Sequence, residues 1–159
     1  MPEYGITRDQ AEQGGIVKIA QILSQKGPFV ATIKAGASVK HLVDELQHHN
    51  IGALIVSDDG RHIDGIVSER DIVRKLSDYA GEISNLKVAD IMTSNVFTCS
   101  AEETVEGLME IMTEHHFRHV PVVEDDGSLF AVVSIGDLVK HRMEELHDER
   151  AALINYITK

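Results

Sequence analysis

Two short stretches carry residue types that could do chemistry. "GIVSERDIVR" (65–74) and "AVVSIGDLVK" (131–140) each run from an apolar extended segment into a serine, two spacers, an aspartate and an apolar helix pattern. The pairs are Ser68 with Asp71 and Ser134 with Asp137, 66 residues apart. Two chemistries fit them. Ser-x-x-Asp at a helix start is a capping arrangement: the serine oxygen accepts an early N–H, and the acid sits well at the positive end of the helix dipole. The same turn placed directly after a strand is also where free N–H groups readily hold phosphate. There a carboxylate can accept both hydroxyls of a ribose diol, and a nearby arginine can neutralise phosphate. The pattern therefore suits a nucleotide as well as a cap.

The elements that position these turns are duplicated. At the same offset Val30, Thr32, Ala35, Val39, Leu42, His49, Val56, Asp59, Val67 and Val73 also meet identical residues, without a gap. "KIAQIL" from Lys18 matches "KVADIM" from Lys87 at an offset of 69. Two copies predict a pseudo-twofold pair rather than a solenoid, which needs three or more. Each copy reads as a short helix, a brief extended piece ("VATI", "VFTC"), an amphipathic helix, a hairpin about Asp-Asp-Gly and a further helix. Ser38 and Thr104 are the expected caps of the amphipathic helices. The predicted class is α+β: two repeats, each a small sheet packed with helices, followed by a long C-terminal helix. The expected boundaries are a flexible segment over 1–15, repeats over 16–80 and 81–142, and a helical extension over 143–159.

Composition excludes several functions. A net charge of −11 repels a polyanion over most of the surface, which argues against nucleic-acid binding. Positive charge is local: Arg70, Arg74 and Lys75 follow the first turn, and Lys140, His141 and Arg142 the second. Cys99 is the sole cysteine, which removes a disulfide framework and suits a reducing cytosol. No signal-peptide pattern opens the chain, and no apolar run reaches the roughly 18 residues of a membrane span. A cytoplasmic protein without a membrane partner is expected.

With "NIGALIVSDDGRHIDGIVSERDIVRKL", "HFRHVPVVEDDGSLFAVVSIGDLVK" and the linking "KVADIMT", the chain resembles a tandem pair of CBS (cystathionine β-synthase) domains, a Bateman module, over about residues 16–142. It looks most like the small stand-alone bacterial proteins built of little else. The resemblance implies a non-catalytic regulatory module that binds adenosine-containing effectors (AMP, ATP, NAD or S-adenosylmethionine) in clefts between the repeats. It further implies a homodimer and a regulated partner protein. Matched by position, Asp71 and Asp137 would hold ribose while Ser68 and Ser134 help with phosphate. Val30, Thr32, Val96 and Thr98 would line the adenine pocket. Gly52, Ala53 and Ile55 in one copy, and Arg118, His119 and Pro121 in the other, would form the opposite wall. The copies differ where Arg70 matches Gly136 and Gly52 matches Arg118, so two sites would differ in their phosphate contacts.

Rival classes have weaker support. Nucleophilic catalysis needs a Ser or Cys beside a His, and Cys99 lies in an apolar extended piece where an inert thiol is expected. No Walker-type loop supports ATP hydrolysis. His115, His116 and His119 would suit a metal only if their helix continued past residue 117. A ligand-independent homodimeric scaffold is the alternative, because Val139, Met143, Leu146, Arg150, Leu153 and Ile157 recur by four and three as a heptad seam. That helix could equally pack on its own domain.

Overall fold

The computed structural model describes residues 15–27, 30–79 and 82–158. Apart from Gly15, the segment expected to be flexible lies outside them. The elements run α1 (Ile19–Lys26), β1 (Thr32–Ile33), α2 (Val39–His49), β2 (Ala53–Val56), β3 (Gly65–Ser68), α3 (Glu69–Tyr79), a 3₁₀ turn (Ile83–Asn85), α4 (Val88–Ile91), β4 (Cys99–Ser100), α5 (Val105–His115), β5 (His119–Val123), β6 (Leu129–Ser134) and α6 (Ile135–Ile157). The class is α+β, with two three-stranded sheets ordered β1-β2-β3 and β4-β5-β6.

The chain forms two compact units. The central unit comprises Phe29–Thr98 and Pro121–Val132; the terminal unit comprises Met1–Pro28, Cys99–Val120 and Val133–Lys159.

In the central unit β1 runs parallel to β2, with Thr32 opposite Ile55, and β2 runs antiparallel to β3, with Ala53 opposite Ser68. The stripe Val39, Leu42 and Leu46 packs with Leu54, Val56 and Val67, and Ile83, Val88 and Ile91 complete the cluster. Ile66 and Thr93 exchange two backbone hydrogen bonds of 2.9 Å, which dock the residues after α4 against β3. Gly65 permits that approach: a Cβ there would lie 2.8 Å from both Thr93 O and Met92 Sδ.

In the terminal unit Ile19, Ile22 and Leu23 of α1, Val105, Leu108 and Met112 of α5, and Leu138 of α6 are all buried. Both α1 and α5 contact α6. Strand β6 passes into α6 with no loop, and α6 continues unbroken through the position where a separate extension was expected to begin.

The short helices are exchanged between the copies. Helix α1 precedes the first copy, yet Ile19 N–H donates to Glu103 O and Val105 N–H to Val17 O, each at 2.9 Å. Helix α4 precedes the second copy, yet Val88 N–H donates to Ala37 O and Val39 N–H to Leu86 O, each at 2.8 Å. Both expected caps form: Ser38 Oγ accepts from His41 N–H and Thr104 Oγ1 from Gly107 N–H, each at 3.1 Å. Helices α2 and α5 end at Asn50 and His116, both left-handed (φ 52° and 57°). The expected extended piece "VFTC" is a strand only from Cys99, and β4 reaches Ser100. No helix among the described residues is long and apolar enough to cross a membrane.

Candidate functional site

Each Ser-x-x-Asp turn is built by the last strand of its hairpin feeding a helix. In the central unit β3 ends at Ser68 and α3 begins at Glu69. Glu69 N–H donates to Gly52 O (3.0 Å), which places Gly52 and the start of β2 beside the turn. In the terminal unit Ile135 N–H donates to Arg118 O (2.9 Å), the equivalent bond. Gly52 and Arg118 are therefore brought to Ser68 and Ser134 by backbone geometry that both copies share.

The carboxylates act first as caps. Ser68 N–H and the Ser68 hydroxyl donate to Asp71 Oδ2 at 2.8 and 3.0 Å. Ser134 N–H donates to Asp137 Oδ2 at 2.9 Å, while Asp137 N–H donates to Ser134 Oγ at 3.2 Å, a reciprocal capping box. In both turns the serine bonds fall on Oδ2 of the carboxylate, as does the bond from Lys26 to Asp137.

The two turns differ in charge. Lys26 Nζ, at the end of α1, lies 2.7 Å from Asp137 Oδ2. Burial opposes ionisation of Asp137, but the Lys26 ammonium and the Ser134 donors outweigh it and hold the group below its ordinary 3.8. Lys26 was not among the residues expected from sequence. It lies outside the gap-free repeat, and at the offset of 69 that aligns α1 with α4 the matching residue is Asn95.

The other expected residues are distributed as follows. Arg70 and Arg118 are exposed; Val30, Thr32, Gly52, Val96, Thr98 and His119 are half-buried; Pro121 is buried. Ala53 and Ile55 are buried on the opposite face of β2 from Leu54 and Val56. Val96, Thr98 and Pro121 belong to the central unit, and Arg118, His119, Ser134 and Asp137 to the terminal one. Two open grooves occur in the central unit. One, of 600 Å³, runs between α2 and α3 past Gly52, Glu69 and Val73; the other, of 680 Å³, is lined by Thr32, Lys34, His41 and Asp58. Neither includes Ser68 or Asp71 in its lining.

Chemistry of other kinds finds little footing. Burial, with Glu103 nearby, pushes the Cys99 thiol up to about 12, so it is almost wholly protonated at neutral pH. His116 turns the chain out of α5, so His115 and His119 do not share a helical face, and the His115 ring stacks on Phe117 instead. Among the described residues no group of three or more His, Cys, Asp or Glu is placed to hold a metal.

Comparison with known proteins agrees with the duplication. The family model described as "CBS domain" matches twice, over residues 19–78 and 88–144. The mitochondrial CBS domain-containing protein CBSX3 of Arabidopsis thaliana is 36% identical over 124 residues, which span 76% of this chain and 60% of that protein's length. The crystal structure of the CBS-domain containing protein ATU1752 from Agrobacterium tumefaciens superposes with a TM-score of 0.76 at 39% identity, covering 79% of this chain and 99% of that one. The CBS domain pair of protein MJ0100, solved with 5′-methylthioadenosine and S-adenosyl-L-methionine, superposes at 0.68 with 26% identity, covering 78% and 98%. Two matched copies that each carry the strand-to-helix serine and aspartate turn place this chain in the CBS-domain family, as a tandem pair.

Proposed function

We propose that this protein is a non-catalytic sensor of adenosine-containing nucleotides, with AMP, ATP or NAD as the favoured effectors. The observation that carries the reading is the repeated turn: a carboxylate oriented by its own serine through Oδ2 at a strand-to-helix junction, an arrangement that suits a ribose diol. The MJ0100 pair supports the class, because both of its ligands contain adenosine. Those ligands carry no phosphate. Here Arg118 and Arg70 stand next to their turns, and Lys26 bonds Asp137 itself, which favours an anionic ligand. The effector acts by differential binding: it stabilises one conformational or dimeric state, and a regulated partner protein reads that state. The protein is a cytosolic homodimer in this reading, without nucleic acid or membrane as partner.

The test is thermal unfolding against AMP, ADP, ATP, NAD, NADH and S-adenosylmethionine, with Asp71→Ala/Asp137→Ala as control. A ligand at 100 times its dissociation constant adds about 2.7 kcal/mol, which raises the midpoint by roughly 5–10 °C at this size. The expected result is a rise in wild type that the double variant loses, each compared with its own ligand-free midpoint. No rise with any nucleotide overturns the reading. It would leave a ligand-independent homodimeric scaffold, which the exposed apolar seam of α6 favours.

A further inference from the structure

Among the described residues Leu138 is the only fully buried side chain of α6. Val139, Met143, Leu146, Leu153 and Ile157 are 42, 55, 50, 62 and 79% exposed. With Arg150 they recur at intervals of four and three, the d and a positions of a heptad, along one exposed helix. An apolar seam of this length in water marks an interaction surface.

We infer that this seam pairs antiparallel with the same seam of a second copy, about a twofold axis level with Asp148. Symmetry makes the case, since a twofold interface must be self-complementary. Val139 and Ile157, Met143 and Leu153, and Leu146 and Arg150 are each equidistant from residue 148, so every layer sets a d position against an a position. Charge selects the direction. A parallel pair in register would place Arg150 against Arg150 in one layer. The antiparallel pair places it against Leu146, whose side chain accepts the arginine's aliphatic stem. At 1.5 Å rise per residue, Glu149 then lies between Arg142 and Arg150 of the second copy, about 7.5 and 4.5 Å away along the axis. Arg142 already donates to Glu145 of its own helix at 3.1 Å, and its guanidinium keeps further donors for a second carboxylate.

The inference rests on the self-association within the proposed function and is independent of nucleotide binding. Its test uses the full chain in a Cys99→Ala background, with Leu146→Cys and Arg150→Cys made separately, since both positions are exposed. Mixed and oxidised, the two variants should form the 146–150 disulfide at least roughly tenfold faster than either forms a disulfide with itself, because like positions lie too far apart to bridge. Rapid self-disulfide of Arg150→Cys alone would show a parallel pair and overturn the inference. A dimer by light scattering with no mixed disulfide would also overturn it, while leaving self-association intact. A wild-type monomer at every concentration would overturn both.

Discussion

Lys26 Nζ lies 2.7 Å from Asp137 Oδ2, whereas Asp71, at the matching position of the other copy, takes its hydrogen bonds from Ser68. Among the described residues one duplicated carboxylate is thus ion-paired with a lysine while the other is held by its serine alone. The asymmetry comes from α1, the exchanged helix, and so is absent from the gap-free part of the repeat.

Removing the ammonium should raise the Asp137 pKa. Its folded-state value is depressed, so the stabilisation it supplies is present above the unfolded value near 3.9 and is lost as pH falls through the folded value. Lys26→Ala should cost about 1 kcal/mol or less at pH 7, since both groups keep partial solvent access. A ¹³C carboxyl titration of Asp137 in both proteins checks it; an unmoved midpoint would remove Lys26 as the cause.

Arg118 should discriminate by ligand charge. Its carbonyl anchors the first residue of α6, and its exposed side chain projects from beside the Ser134 turn. Arg118→Ala should weaken AMP by about 1.5–3 kcal/mol, the range of a hydrogen bond to a charged group, and leave adenosine nearly unchanged. Calorimetry with both ligands decides, and equal weakening would take Arg118 away from the phosphate.

Gly65 should not tolerate a methyl group. A Cβ would meet a backbone oxygen as well as the flexible Met92 side chain, so the docking of the Thr93 segment against β3 must open. Gly65→Ala is expected to lose about 1–3 kcal/mol by urea unfolding, with an unchanged m-value. A neutral result would mean that the Ile66–Thr93 pairing contributes little.

Cys99 should be slow toward thiol reagents. With its pKa pushed up to about 12, the thiolate fraction at pH 8 is about 10⁻⁴. Modification should be on the order of 10³ slower in native than in denatured protein, and comparable rates would place the thiol at the surface.

Much of this was legible in the amino-acid pattern because it is local. The caps Ser38 and Thr104, both Asp-Asp-Gly hairpins and both serine and aspartate turns follow from spacings of a few residues. What stayed hidden is long-range. Nothing in "KIAQIL" says that its backbone will bond to residues 101–105 rather than to its own copy, since an apolar stripe is satisfied by either partner. Lys26 was missed for the same reason, because its partner lies 111 residues away. The resemblance places Ile55 on a ligand wall, and the fold adds what no local pattern shows, that its side chain is 1% exposed.

The exchange of α1 and α4 also sets a schedule for synthesis. Helix α1 is made before α5, with Ile19, Ile22 and Leu23 destined for burial, while its hydrogen-bonding partner at 101–105 has not yet been translated. At 5–20 residues per second the helix waits about 4–15 s before that segment is translated, and longer before α6 follows. During that interval the nascent chain presents a short apolar helix without its partner, a handle for a chaperone. A ribosome stalled after residue 79 would hold a first repeat that still lacks α4. Neither copy can finish folding before the other has begun.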